Sequence, residues 1–160
     1  EDQQPRVKYY PENTTITLKK TAKLKGYRFD GWHVYGGDPN VKKKTARNEN
    51  ITVEASWIPN KYTITFNGCG GTYINSDGKR SSKYKKNMTY GYYDIFPDVF
   101  SRPGYYLDGW STKPNGKGKY FYTDTFIINL TSKNKGNVNF YAIWKPSAYV
   151  VSFNMSVSIQ

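Results

Sequence analysis

The 160-residue chain carries 24 Lys and Arg against 12 Asp and Glu, a formal net charge of +12, and 18% of it is aromatic, with 16 Tyr. That aromatic load excludes a disordered tail. The single His33 and single Cys69 exclude an internal disulfide and most metal, triad and redox chemistry. The charge favours polyanions such as nucleic acid, teichoic acid, sulfated glycans or acidic lipid surfaces, or it serves solubility alone; composition leaves both open. No apolar run approaches the roughly 20 residues of a membrane span. The opening Glu1-Asp2-Gln3-Gln4-Pro5 lacks the basic-then-apolar layout of a signal peptide, so any export signal or anchor is expected outside this sequence.

In chain order, the first patterned block is Gly26-Tyr27-Arg28-Phe29-Asp30-Gly31-Trp32. A basic cluster follows at Lys42, Lys43, Lys44 and Arg47, then a strand-like block at Ile51–Pro59. Residues 62–66 alternate Tyr62, Ile64 and Phe66 with Thr63 and Thr65, the period of a half-buried strand. Asn67-Gly68-Cys69-Gly70-Gly71 ends it, because such glycine density marks unusual backbone angles. Thr72-Tyr73-Ile74 resumes a strand and Asn75-Ser76-Asp77-Gly78 is a turn. A second basic cluster holds Lys79, Arg80, Lys83, Lys85 and Lys86, with Tyr84 and Tyr90 interleaved. Tyr93–Phe100 is a weak helix candidate that Pro97 and Pro103 argue against. Tyr105, Leu107 and Trp110 form a strand with a bulge or bend at Gly109. Asp124–Leu130 is read as one short helix or turn. Val138, Phe140, Ala142 and Trp144 alternate as a strand, and Pro59 and Pro146 are short, stiff linkers.

Three blocks recur in the same order. Gly26–Trp32 matches Gly104–Trp110 as G-Y-x-[aromatic or Leu]-D-G-W. Ile51–Pro59 matches Val138–Pro146 as [apolar]-x-[apolar]-x-A-x-W-x-P. Tyr62–Asn67 matches Tyr149–Asn154. The expected organisation is a first repeat unit over 1–60 whose opening strand is missing or diverged, and a complete unit over 61–146. A terminal strand over 147–160 then begins a third unit or packs back as a cap. The fold class is mainly β, with little helix. Trp32 with Trp57, and Trp110 with Trp144, are expected to meet in small structural cores, each aromatic burying roughly 150–250 Å².

These blocks resemble the Listeria–Bacteroides repeat, the B-repeat of internalin-type surface proteins. The carrying residues are Thr63–Thr72, Arg102–Trp110 and Val138–Trp144; the first unit departs at Lys25, where a proline is expected, and at Glu54, where a tyrosine is expected. The resemblance implies tandem small β-grasp-like repeat units on a bacterial cell-surface or secreted protein, acting as spacer, stalk or adhesion module. It brings no catalytic, cofactor or metal-binding residues.

The remaining site readings come from the residues themselves. His33 has Ser111 as counterpart and is read as an exposed strand residue. Asp30 and Asp108 are turn-capping carboxylates beside glycines, and Cys69 is a turn residue. Lys42, Lys43, Lys44, Arg47, Lys79, Arg80, Lys83, Lys85 and Lys86 are candidates for binding an acidic glycan or teichoic acid, or are solvated loop charges. A host surface protein is a further candidate partner; nucleic acid is disfavoured for want of a recognisable motif. A carbohydrate-binding module attached to a secreted enzyme is the rival reading, separated from the spacer by whether the aromatics are buried or form an exposed platform. Catalysis is disfavoured, since the complete unit has only Asp77, Asp94, Asp98, Asp108 and Asp124 as acids.

Overall fold

The computed structural model describes residues 7–18, 23–35, 37, 41–45, 47, 49–149 and 151–153. In chain order these form β1 (Thr15–Thr17), β2 (Tyr27–Val34), β3 (Lys43–Thr45), β4 (Val53–Pro59), β5 (Lys61–Asn67), β6 (Tyr73–Ile74), β7 (Arg80–Ser81), β8 (Lys83–Thr89), β9 (Tyr93–Ile95), β10 (Tyr105–Ser111), β11 (Tyr120–Phe121), β12 (Phe126–Ile128) and β13 (Gly136–Pro146). Among the described residues the fold is all-β, without a helix.

One five-stranded sheet organises the second half, in the order β11-β10-β13-β5-β8. Its centre is a parallel pair, β5 beside β13, with Tyr62 opposite Gly136, Ile64 opposite Val138 and Phe66 opposite Phe140. The outer pairings are antiparallel. Alternation along β5 sends Tyr62, Ile64 and Phe66 to one face, where they are at most 2% exposed. Phe66 sits at the middle of the core. Its ring lies 4.8 Å from Trp110, 5.9 Å from Tyr84 and from Phe140, and 6.1 Å from Phe96.

That face is covered by a two-stranded ribbon, β9 with β12. Ile127 and the adjoining Phe96 are buried beneath it. The segment expected as a short helix or turn, Asp124–Leu130, therefore contains a strand, and so does Tyr93–Phe100. The physical reason is period: only Ile127 of Phe126-Ile127-Ile128 turns inward, and three residues of that alternation suit a pleat and not a helix face.

Trp110 and Trp144 are held by their indole N–H groups. Trp110 is fully buried and donates to the Pro97 carbonyl at 3.0 Å. Trp144 is half-buried against the same core and donates to the Gly68 carbonyl at 2.7 Å. The two lie on neighbouring strands, Trp110 opposite Ala142 and Trp144 opposite Leu107. The Gly68–Gly71 turn is shaped to Trp144: a Cβ on Gly71 would fall 2.3 Å from the indole ring. In the N-terminal group, Phe29 stands between Trp32 and Trp57, with ring centroids at 5.7 and 5.5 Å.

Strands β1–β4 repeat part of this design. The pair β2–β4 has the register of β10–β13, including a shift at the same motif position. The pair β1–β3 repeats the ribbon β9–β12. Asp30 and Asp108 are the extra residues of these bulges. They lie within strands, not in turns as expected, because the D-G step lets two residues face one on the partner. Residues 147–149 and 151–153 make no strand pairing, so the expected terminal strand is not formed over the described part of 147–160. Val150 and residues 154–160 lie outside the described residues, as do residues 1–6 of the first expected unit.

Trp110→Ala removes the largest fully buried side chain and orphans the Pro97 carbonyl. It is expected to cost about 3–5 kcal/mol, read as a lowered midpoint in urea unfolding. An unchanged midpoint would contradict the central place given to this residue.

Candidate functional site

The sheet face opposite the core is open and polar. Thr63 and Thr65 donate to the side-chain oxygens of Asn87 (3.1 Å) and Asn137 (2.9 Å), and Asn137 donates to Asn139 at 3.2 Å. Lys83 and Lys85, on the edge strand β8, share this face with them. The alternation of β8 sends Lys86 to the other face, with Tyr84 and Met88, and there it pairs with Asp94 at 2.6 Å. The second basic cluster is thus divided. Lys79 lies between the β6 and β7 strands, Arg80 is on β7, and only Lys83 and Lys85 stand together on the open face. In the first cluster Lys43 is exposed and Lys44 half-buried on β3, with Lys42 and Arg47 exposed on either side. Lysines on an edge strand also discourage pairing with other chains.

At the far end of that face, Asp108 is fixed by two partners. Lys145 approaches its carboxylate to 2.9 Å and the Tyr120 hydroxyl donates to it at 2.8 Å. The Lys145 hydrogen bond first, then the Tyr120 bond and the Lys145 charge, hold Asp108 below the usual carboxylate range. Burial, then the hydrogen bond to Asp108, pushes Tyr120 upward, so it remains a neutral donor. The Asp94 carboxyl is likewise lowered, chiefly by its bond to Lys86. Asp94 and Asp108 are thus each held by a lysine.

Catalytic chemistry finds no constellation among the described residues. His33 lies opposite Glu54 across the β2–β4 ladder, half-buried, and its Nε2 has no partner there. Among the described residues no group of three His, Cys, Asp or Glu side chains could hold a metal. Cys69 occupies a turn with φ of 47°, and partial burial pushes its thiol upward, away from the nucleophilic thiolate.

Two aromatic pairs at the surface stand edge to face and not flat. Tyr120 and Tyr122 stand at 82°, and Tyr93 and Phe126 at 80°. A shallow cleft of about 400 Å³ is lined by Asp98, Arg102, Tyr105, Tyr106 and Trp144 among others. Its two tyrosines are consecutive on β10 and point to opposite faces. Arg102 already lies 4.0 Å over the Tyr105 ring.

Sequence reading missed the junction between β4 and β5. Asn60 is buried there. Its N–H donates to the Gly26 carbonyl, its carbonyl accepts from Tyr90 N–H, and its side-chain amide donates to the Ser132 carbonyl, each at 2.8 Å. Tyr27 and Tyr90 meet edge to face at 5.5 Å, and a Cβ on Gly26 would lie 2.2 Å from the Tyr90 ring. Gly26 also has φ of +83°, which L side chains rarely adopt. The main-chain N–H of Ser147 makes the matching bond to the Gly104 carbonyl at 2.9 Å after the second W-x-P, but a main-chain bond leaves no mark in residue type.

The Listeria-Bacteroides repeat domain profile matches residues 62–143, from the first core residue of β5 into β13. The chain belongs to the Listeria-Bacteroides repeat family. Repeats of this family occur in bacterial surface proteins and are typically non-enzymatic. The chain is also similar to a protein of Evansella cellulosilytica described as a Gly-rich membrane protein, at 25% identity over 88% of this chain. It spans 15% of that relative's length. No helix among the described residues is long and apolar enough to cross a membrane. No solved structure matches this repeat chain.

Lowered carboxyl values make stability depend on acid. Asp108 contributes stability above its unfolded value, about pH 4, and loses it as pH falls through the lower folded value. Asp108→Asn is expected to lower stability at neutral pH and to flatten the acid limb of a urea-midpoint curve. An acid limb identical in slope to that of the unaltered chain would refute the assignment.

Proposed function

We propose that this chain is a non-enzymatic, extracellular spacer or stalk segment of a bacterial surface or secreted protein, built of β-grasp-like units. The observation that carries it is the packed junction at Asn60. A stalk must transmit orientation from one unit to the next, and a buried Asn60 whose main chain bonds Gly26 and Tyr90 and whose side-chain N–H bonds Ser132 does so where a solvated linker would not. The β-grasp reading is supported by the order of the four main strands in the complete unit, second-first-fourth-third, with the inner two parallel. In place of a helix the β9–β12 ribbon covers the core. We take residues 61–146 as that unit and β1–β4 as belonging to the unit before it.

An adhesive role for Lys83 and Lys85 toward teichoic acid or another acidic polymer accompanies this reading, supported by the net charge of +12 and their position on an uncovered face. The carbohydrate-module alternative is weaker, because the indole N–H groups of Trp110 and Trp144 are occupied and the exposed aromatic pairs stand edge to face.

Gly26→Ala is expected to spring the junction while leaving the β5–β13 core folded. Small-angle scattering would show a broader distribution of interdomain distances than in the unaltered chain. An identical scattering profile would count against a locked stalk. For adhesion, binding to a teichoic-acid or heparin surface is expected to fall steeply between about 50 and 200 mM salt as charges are screened. The double change Lys83→Glu and Lys85→Glu should abolish it. Full binding by the doubly altered chain would remove these two lysines from the proposal.

A further inference from the structure

The loop that joins β10 to β11, Thr112–Lys119, is tied down and does not trail into solvent. Thr112 N–H donates to the Lys119 carbonyl at 3.1 Å, and Lys119 N–H donates to Thr112 Oγ1 at 2.9 Å. Within the loop, Gly116 N–H donates to the Lys113 carbonyl at 3.1 Å and Lys117 N–H to Asn115 Oδ1 at 3.0 Å. Gly116 has φ of +72°, and a Cβ there would lie 3.3 Å from Cδ1 of Ile143. Ile143 faces away from the core, because Phe140, Ala142 and Trp144, which pack in the core, alternate with it along β13. The loop is therefore folded down onto the open face of the sheet, over β13.

That loop bears Lys113 and Lys117, both exposed. Across the face stand Lys83 and Lys85, on the edge strand β8. The floor between them is Asn137 and Asn139 of β13 with Thr63 and Thr65 of β5. Two strand spacings separate β13 from β8, so the trough is roughly 10 Å wide, enough for one extended polymer chain. Among the described residues this face has one acid, Asp108, and Lys145 already holds it at 2.9 Å. The uncompensated charge on both flanks of the trough is positive.

We propose that this trough binds a linear polyol phosphate, lying along the strands with Lys83 and Lys85 on one flank and Lys113 and Lys117 on the other. The proposal rests on the adhesive reading of Lys83 and Lys85, and adds to it the loop and the class of polymer. Lys83 and Lys85 stand about 7 Å apart along their strand, close to the repeat of a three-carbon polyol phosphate in extended form. The ammonium groups meet phosphates as point charges, and the hydroxyls of the polymer meet the hydroxyl and amide floor. A nucleic acid base stacks on an aromatic ring. The self-bonded ladder of Thr65, Asn137 and Asn139 gives neither a base nor a rigid sugar ring such a surface.

Equilibrium binding of the full chain to immobilised poly(glycerol phosphate) tests this, at about 0.15 M salt, where charges beyond roughly 8 Å are screened. Three doubly altered chains carry the same change of charge: Lys113→Glu with Lys117→Glu, Lys83→Glu with Lys85→Glu, and Lys42→Glu with Lys43→Glu. The last pair lies on the N-terminal group, outside the trough. The first two chains should each bind about tenfold or more weakly, and the third less than about threefold more weakly. Heparin, a sulfated glycan, should bind the unaltered chain more weakly than the polyol phosphate does. If the chain altered at Lys113 and Lys117 binds like the one altered at Lys42 and Lys43, while the change at Lys83 and Lys85 abolishes binding, the inference is overturned and the adhesive reading stands. If the unaltered chain does not bind, or the chain altered at Lys83 and Lys85 binds like the one altered at Lys42 and Lys43, both fall. Heparin binding as tight as that of the polyol phosphate overturns the class of polymer.

Discussion

The parallel pairing of β5 with β13 is the constraint on which the rest of the structure depends. These strands open and close the repeat, and the Trp144–Gly68 bond between their ends spans 76 residues of chain. Closing so long a loop is entropically unfavourable and is offset only by what the closure buries. Here it buries Tyr62, Ile64 and Phe66 against Phe140 and Trp110. In the complete unit β8 extends that pair on one side, β10 and β11 on the other, and the ribbon lies across it.

Among the described residues the N-terminal group has no parallel partner strand, and its core is more open. Strands β1–β4 possess the bulge, the ribbon and the two tryptophans, yet none of their large apolar side chains is fully buried. Among the described residues the two groups differ in the opening strand β5 and in its neighbour β8. That difference explains why the junction matters. Asn60 stands where β4 ends and β5 begins, so the residue that starts the core strand also ties it to Gly26 of the preceding group and to Ser132.

Charge is arranged around this frame more than within it. Asp94 and Asp108 each face a lysine, which consumes two of the acids and leaves the excess positive charge on exposed positions. The open face carries a short polar ladder of Thr and Asn with Lys83 and Lys85 at its edge. Such a surface suits a solvated stalk and a charged polymer alike, since neither requires a pocket.

Much of this was legible in the sequence. Repetition of G-Y-x-x-D-G-W and A-x-W-x-P located the two strand pairs, and period-2 alternation at Tyr62–Phe66 and Val138–Trp144 identified the core strands, because burial on one face of a pleat leaves that pattern directly in the residues. The bulge at Gly109 followed from the D-G step. Other features needed the tertiary structure. Phe126–Ile128 is too short for its period to distinguish strand from helix, and only its pairing with Tyr93–Ile95 decided it. The Gly68–Gly71 turn reads as a strand end with unusual backbone angles, but that its spacing is set by the indole of Trp144 from the other end of the repeat is not legible there. The basic cluster at Lys79–Lys86 looks continuous in sequence and is divided by the pleat of β8. Asn60 carries no periodic or compositional mark, since its three partners come from segments brought together only on folding. What the sequence determined by itself was local alternation and repetition; what the tertiary structure decided was which distant residues close on one another, because those contacts are long in sequence and have no local signature.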